Sequence, residues 1–147
     1  MSLIVGIAGT AKNTGKTTTT SAILNELYKI NISIGLTSIG YDGEEIDNIT
    51  RLPKSRLFVR ENTILATAQK CLCGGNAKYE ILETTDIKTP LGNINIVRVV
   101  KEGLAVVAGP NKGSQLRYVE NRMIDDFGCK IVLVDGALNR IAPMIET

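Results

Sequence analysis

Residues 3–20, LIVGIAGTAKNTGKTTTT, decide the fold, because an apolar run leads directly into glycines, lysines and hydroxyls. Residues 3–8 are continuously apolar, which is typical of a strand buried on both faces of a parallel sheet. Residues 16–30 predict a helix. The turn between them would point main-chain amides and the positive end of the helix at one place, which predicts a cradle for a phosphate group. The predicted apolar stripe of the helix comprises Ala22, Ile23, Leu27 and Ile30.

The glycine spacing in this turn differs by one residue from the usual pattern G-x-x-x-x-G-K-S/T, because Thr10 occupies the first glycine position and Gly9 precedes it. Gly15 leaves room for a phosphate, Lys16 would reach the β- and γ-phosphates, and the Thr17 hydroxyl would bind Mg²⁺. A glycine-rich turn that binds nothing is the alternative, and it leaves the flanking strand and helix unexplained. The predicted nucleotide-binding residues are Gly9, Thr10, Lys12, Asn13, Thr14, Gly15, Lys16, Thr17 and Thr18.

Two acidic segments follow predicted strands. Residues 130–135, KIVLVD, end in Asp135, the usual layout of a carboxylate that holds Mg²⁺ beside a phosphate loop. The segment YDGEEID follows a strand predicted at residues 32–38, and Asp42 is its acid nearest the strand. A solvated acidic turn explains YDGEEID equally well. The candidate catalytic residues are Lys16, Asp42 and Asp135, and the candidate metal ligands are Thr17, Asp42 and Asp135.

The middle of the chain alternates further predicted elements. Residues 56–59 predict a short strand and residues 63–72 a helix. Residues 79–86 and 94–100 flank a turn with Pro90 and Gly92, and they predict a β-hairpin.

A strand is predicted at residues 104–108, and the segment AGPNKGS (residues 108–114) that ends it either contacts a substrate or partner or only connects two elements. Ser114 would cap a helix that runs to about Phe127, and Gly128 would end it. The apolar positions of this helix are Leu116, Val119, Met123 and Phe127. The alternation predicts an α/β domain with a largely parallel sheet and a β-hairpin.

Composition limits the classes of protein to which the chain can belong. Its 147 residues, 44% of them hydrophobic, suit one globular domain. Lys and Arg number 17 against 15 Asp and Glu, so the charge of +2 indicates neither a nucleic-acid partner nor a membrane surface. No apolar run approaches the roughly 20 residues of a membrane helix, and no signal-peptide pattern begins the chain, so a cytoplasmic protein is expected. Histidine is absent, which removes the commonest general base near neutral pH.

The cysteines and the chain end leave alternatives open. Cys71, Cys73 and Cys129 do not suggest a disulfide framework, and the segment CLCGG is better interpreted as a helix end, with Gly74 or Gly75 left-handed, than as a metal site. Residues 1–147 are expected to form one nucleotide-binding domain. Only a dozen residues follow the last predicted strand, so the chain is either a complete small domain, the N-terminal part of a longer chain, or a fragment completed by another polypeptide.

The motif GTAKNTGKT resembles the phosphate loop of the dethiobiotin synthetase and cobyrinic acid amide synthase group of P-loop NTPases, which is related to the MinD/ParA class. VDGAL is similar to the EGAGG segment of that group at Asp135, Gly136 and Ala137. The resemblance implies a three-layer P-loop fold that binds ATP and Mg²⁺, with GTP as the alternative nucleotide. In the MinD/ParA branch a signature lysine supports a nucleotide-sandwich dimer. Ala11 occupies that position here, and Lys12 is the candidate substitute.

A narrower resemblance concerns the small P-loop proteins associated with adenosylcobalamin-dependent lysine or ornithine aminomutases. GTAKNTGKTTT, TSIGYDGEEID, PKSRLFV and VDGALNR are similar to segments of that group. The resemblance implies ATP hydrolysis that reactivates the mutase, with the mutase as protein partner and a homo-oligomer also compatible. Two other functions stay open: a small-molecule kinase or ATP-dependent ligase of the dethiobiotin synthetase type, and a non-catalytic nucleotide sensor.

Overall fold

The computed structural model describes residues 2–7, 16–39 and 56–135. Within these ranges the chain forms eight strands, two α-helices and one 3₁₀ helix. In chain order the elements are β1 (Leu3–Ile7), α1 (Lys16–Lys29), β2 (Ile34–Ser38), β3 (Leu57–Val59), β4 (Ile64–Ala68), the 3₁₀ helix (Gln69–Cys73), β5 (Lys78–Thr89), β6 (Gly92–Lys101), β7 (Gly103–Ala105), α2 (Gly113–Asp125) and β8 (Ile131–Asp135).

Six of these strands form one sheet in the order β1-β8-β2-β4-β6-β5. The pairs β1–β8, β8–β2 and β2–β4 are parallel, whereas β4–β6 and β6–β5 are antiparallel. The strands β3 and β7 pair with each other in a separate antiparallel ribbon. The predicted α/β class is therefore confirmed, with a mixed sheet that is mostly parallel, and the predicted hairpin is confirmed as β5–β6.

The two faces of the sheet carry separate cores. Leu36 and Leu133 point to one face, where Leu24 of α1 and the ribbon β3–β7 pack. Val132 and Val134 of β8 point to the other face, against Leu116, Val119 and Met123 of α2. Successive residues of a strand face opposite sides, so one apolar strand contributes to both cores. The central strands β2 and β4 are buried at every position for this reason.

Both helices form where the sequence predicts them, with small differences in detail. Among residues 20–29 of α1 the buried positions are Thr20 and Leu24, while Ala22 is exposed and Ile30, beyond the helix, is 61% exposed. The predicted stripe was thus wrong at two of its four members.

The cap of α2 also differs from its prediction. Lys112, rather than Ser114, is the N-cap residue of α2, and its side chain makes no capping bond. The helix ends near the predicted place, and Gly128 adopts the left-handed φ of 75° that terminates it.

The helix predicted at residues 63–72 was wrong. The chain forms β4 there and then the 3₁₀ helix. All five residues of β4 are buried, so the period-2 alternation that marks a half-exposed strand is missing from its sequence. The apolar run of a fully buried strand cannot be told from a buried helix by its pattern.

Two strand predictions need a similar correction. β1 forms at the predicted place but borders the described sheet, with β8 as its neighbour, and Leu3 is 56% exposed. The strand predicted at residues 104–108 is limited to β7, which belongs to the small ribbon rather than to the main sheet.

Candidate functional site

Three neighbouring parallel strands end side by side at one edge of the sheet. Asp135, the last residue of β8, is in register with Ile7 of β1 on one side and with Ser38 of β2 on the other. The main chain continues this alignment, because the amide of Ile39 donates to the carbonyl of Asp135 at 3.0 Å. We call these aligned ends, Ile7, Asp135 and Ser38, the carboxyl edge. Open parallel sheets bind their ligands at such an edge.

Asp135 is bound to the helix that follows β1. The Thr20 hydroxyl Oγ1 donates a hydrogen bond to Oδ1 of Asp135 at 3.0 Å. Thr20 is completely buried and Asp135 is 6% exposed, so the bond is sheltered from water. Thr20 lies four positions after Lys16 and three after Thr17, a spacing that places all three positions on one face of α1. The contact therefore joins the beginning of α1 to the end of β8.

The segment that precedes α2 reaches the same edge. The Ser38 hydroxyl Oγ accepts a hydrogen bond from the amide of Gly109 at 2.9 Å and donates one to the carbonyl of Val107 at 3.3 Å. A Cβ atom on residue 109 would lie 2.1 Å from the carbonyl oxygen of Ser38, so only glycine fits this close approach. The predicted segment AGPNKGS thus begins in contact with β2, beside Asp135.

A second hydroxyl holds the other side of this segment. β2 and β4 pair at only two positions, Gly35 with Ile64 and Leu36 with Leu65. Beyond that point, Thr67 Oγ1 of β4 donates to the carbonyl of Val106 at 3.2 Å and accepts from the amide of Ala108 at 2.9 Å. Residues 106–109 are therefore bound between the ends of the two strands by the hydroxyls of Ser38 and Thr67.

The structure places some of the predicted site residues and leaves others outside the described ranges. Lys16, Thr17 and Thr18 form the first turn of α1, and Asp135 ends β8, as predicted. The glycine loop between β1 and α1, with Gly9, Thr10, Lys12, Asn13, Thr14 and Gly15, lies outside the described residues, as do Asp42 and the rest of YDGEEID. The motif is flanked by a strand ending at Ile7 and a helix beginning at Lys16, which is the context that it requires.

Comparisons with family models, with curated proteins and with solved structures found no match to this chain. The resemblance to P-loop NTPases therefore depends on the sequence motifs quoted above. In the part of the chain that the structure describes, neither helix is long and apolar enough to cross a membrane.

Sequence reasoning did not single out Thr20, Ser38 and Gly109 as site residues. The unusual run of four threonines at residues 17–20 was a signal for the first, because threonine is a poor helix former. Gly109 lies in the segment AGPNKGS, for which the sequence left a substrate or partner contact open, whereas Ser38 gave no comparable signal, since its contact depends on which strands become neighbours.

The donor atoms at the carboxyl edge fit a hard cation held together with a nucleotide. Residues 2–7, 16–39 and 56–135 contain no group of three or more His, Cys, Asp or Glu side chains that could hold a metal alone. Mg²⁺ is commonly bound by one or two carboxylates and by the phosphates of its substrate, keeping several waters. The Asp135 carboxylate, beside the start of α1, meets that requirement with one oxygen ligand.

The three cysteines all lie within the described residues. All three are free thiols. Burial raises the pKa of the Cys129 thiol to about 12, which leaves it unreactive. The 3₁₀ helix of CLCGG ends as predicted, and Gly75 has the left-handed φ of 73°.

A second buried acid lies on the opposite face of the sheet. Glu120 of α2 is completely buried, and among the described residues neither of its carboxylate oxygens has a hydrogen-bond partner. Burial raises its pKa to about 7, although the nearby Arg117 opposes the shift. This residue packs beside Leu116, Val119 and Met123 on the apolar side of α2, away from Thr20 and α1.

Proposed function

We propose that this chain binds a nucleoside triphosphate with Mg²⁺ at the carboxyl edge and hydrolyses it in step with a protein partner. The hydrogen bond from Thr20 to Asp135 is the observation that carries the proposal. It joins the helix that begins with the Gly-Lys-Thr motif to the acid that ends β8. Those two features were predicted independently from segments more than 100 residues apart, and a phosphate site with Mg²⁺ needs both together.

Each part of the proposed site has a separate task. Main-chain amides of residues 9–17 and the Lys16 ammonium would hold the phosphates, with the amino end of α1 adding a favourable dipole. Thr17, Asp135 and Asp42 are the proposed ligands of Mg²⁺. When bound, the metal neutralises the negative charge that develops on the phosphates. ATP is the proposed nucleotide, with GTP as the alternative.

Coupling to a partner is supported by the segment between β7 and α2. Ser38 is adjacent to Asp135 in the sheet and bonds Gly109, four residues before α2 begins. A shift of the carboxyl edge on nucleotide binding would therefore reach α2 through one hydrogen bond and a short stretch of chain. An adenosylcobalamin-dependent aminomutase is proposed as the partner on the sequence resemblance alone, and the cytoplasmic location stays a prediction from the sequence.

The same contact supports a second candidate function, transfer of a phosphate to a small molecule. The exposed residues Asn111 and Lys112 follow Gly109 and precede α2 on the side of the carboxyl edge. Polar side chains in that position could bind an acceptor. Release of ADP that requires an added small molecule would favour the kinase or ligase, whereas slow release stimulated by a protein would favour the partner-coupled hydrolase.

Calorimetric titration of the chain with ATP and with GTP, each with Mg²⁺ and with EDTA, tests the proposal. We expect micromolar or tighter binding of one nucleotide, strengthened by Mg²⁺. Absence of heat with both nucleotides would remove the proposed function. Tight binding without turnover, with or without candidate partners, would favour the nucleotide sensor.

A further inference from the structure

Thr20 occupies a position that helix propensity does not explain. Threonine is unfavourable inside a helix, and its hydroxyl there commonly bonds a carbonyl of the preceding turn. Here the hydroxyl donates to a carboxylate 115 residues later in the chain, and the side chain is completely buried. Its place one turn after Lys16 and Thr17 brings this bond close to the proposed phosphate site.

We propose that Thr20 is a positioning residue for Asp135, whose hydroxyl holds Oδ1 of the acid so that the carboxylate is oriented to bind the Mg²⁺ of a Mg–nucleotide complex. This inference rests on the proposed function. Thr20 lies outside the Gly-Lys-Thr motif, and the inference is that it controls how strongly nucleotide binding depends on Mg²⁺.

Two physical effects of the bond support this role. A hydrogen bond donated to a carboxylate favours its charged form, which is the form that binds a cation. The bond also fixes the carboxylate's rotation, and groups that orient a metal ligand in this way change metal affinity about 10–100-fold when they are lost. The site is buried, so water cannot easily replace the missing donor.

The bond has a further geometric consequence. Thr20 belongs to a rigid helix and Asp135 to a strand paired on both sides. Their contact therefore sets the separation between the first turn of α1 and the acid. A residue that only filled the core would set this separation by its shape, so a substitution that keeps the shape and removes the hydroxyl distinguishes the two roles.

The test uses the full chain and compares the affinity for ATP with Mg²⁺ to that with EDTA. Thr20→Val keeps the shape and removes the donor, and Thr20→Ser keeps the donor. Thr85→Val is the matched control, because Thr85 is 4% exposed and its hydroxyl bonds the carbonyl of Ile94 at 2.8 Å on the distant hairpin. Calorimetry gives both affinities for each protein, and thermal unfolding without nucleotide shows whether each variant is folded.

For Thr20→Val we expect the affinity for Mg–ATP to fall about tenfold, with the affinity for ATP in EDTA unchanged. Thr20→Ser and Thr85→Val should keep the wild-type ratio of the two affinities. If valine prevents folding, Thr20→Ala removes the hydroxyl without placing a methyl group at its position.

The possible failures are distinguishable. If wild-type protein binds ATP equally with Mg²⁺ and with EDTA, or binds none, the proposed function fails and this inference falls with it. If Mg²⁺ strengthens binding to wild-type protein and Thr20→Val keeps that dependence, only the role of Thr20 is overturned. Equal weakening of both affinities, or loss of the Mg²⁺ dependence in Thr20→Ser, also overturns it, because the effect would then be one of packing.

Discussion

The two faces of the sheet each bury one acid, and the two acids differ in what surrounds them. Asp135, on the α1 face, ends a strand and accepts a hydrogen bond from the buried Thr20. Glu120, on the α2 face, is buried beside Leu116, Val119 and Met123 of the same helix and accepts no hydrogen bond from the residues that the structure describes. Both carboxylates are almost or completely removed from solvent.

The difference shows that burial alone does not favour the charged form of a carboxylate, which is the form that binds a cation. A carboxylate without a donor is destabilised in its charged form, and the pKa of Glu120 accordingly rises to about 7. A carboxylate that accepts a hydrogen bond is stabilised in its charged form by that bond. Of the two, Asp135 is therefore the acid that we propose to bind a cation, and Glu120 makes the free energy of unfolding depend on pH. Four experiments test this contrast.

Lys16→Ala, on the α1 face, should have the largest effect, a loss of affinity for ATP. The lysine would make charge-assisted hydrogen bonds to the phosphates, each of which contributes about 1.5–3 kcal/mol, so we expect on the order of a 1,000-fold loss of ATP affinity. Titration calorimetry measures it. Lys29→Ala, at the other end of α1 where the lysine pairs with Glu26 at 3.1 Å, is the control and should bind normally. Unchanged affinity in Lys16→Ala would contradict the cradle and leave the α1 face without a function.

Glu120→Gln, on the α2 face, should have the next largest effect, a change in how the free energy of unfolding depends on pH. In the unfolded chain the carboxyl has its ordinary pKa of 4.5, whereas in the folded protein it has a pKa of about 7. The folded state thus keeps the proton to higher pH, and the wild-type free energy of unfolding falls as pH rises from 4.5 to 7 and then stays low. The loss is about 3 kcal/mol, since one pKa unit corresponds to about 1.4 kcal/mol.

The glutamine variant cannot ionise, so its stability should lack this decline. At pH 8 we expect it to be about 3 kcal/mol more stable than wild type, and at pH 4 about equally stable, as measured by urea unfolding. Glu102→Gln, at an exposed position, is the control. A constant difference between Glu120→Gln and wild type across this pH range would show that Glu120 finds a partner when charged, and the contrast with Asp135 would disappear.

Much of the fold could be predicted because local patterns agree with the final structure. α1 follows glycines, α2 ends before Gly128, and Pro90 and Gly92 mark the turn of the hairpin β5–β6. The prediction failed at β4, where burial on both faces hides the strand period, and at β1, which was expected to be buried on both faces although Leu3 is 56% exposed. Burial depends on neighbours in space, which a local pattern does not contain.

The candidate site shows the same division. Lys16 and Asp135 could be proposed as site residues because each belongs to a recognisable local sequence. Thr20 and Ser38 could not, because their contacts follow from the register of β8 with β2 and from the face that α1 turns to the sheet. Those are long-range properties of the fold. A single sequence therefore identifies the reactive groups more readily than the groups that hold them.

Asp135→Asn should separate binding from turnover at the carboxyl edge. The amide keeps the size of the side chain and can still accept from Thr20, but it lacks the charge that holds Mg²⁺. We expect ATP affinity in EDTA to stay within about threefold of wild type and Mg²⁺-dependent hydrolysis to fall about 100-fold, which is roughly 2.7 kcal/mol of barrier. Phosphate release under single-turnover conditions measures this. Retained hydrolysis in Asp135→Asn would move the metal ligand to another residue and place Asp135 with Glu120 as a purely structural acid.

Ser38→Ala should have the smallest effect on the free energy of unfolding. It tests whether Ser38 of β2, which is paired with Asp135, contributes to the Mg²⁺ dependence in addition to Thr20. The hydroxyl bonds the buried amide of Gly109 and the partly buried carbonyl of Val107, so its loss removes one partner from each and should lower the free energy of unfolding by about 1–2 kcal/mol. Because Thr20 rather than Ser38 is proposed to orient the acid, the Mg²⁺ dependence of ATP affinity should survive. Thr67→Val, which removes the equivalent bonds to residues 106 and 108, is the matched control for stability. If Ser38→Ala loses the Mg²⁺ dependence while Thr67→Val keeps it, then the β2 side of the edge, and not α1, prepares Asp135 for its cation.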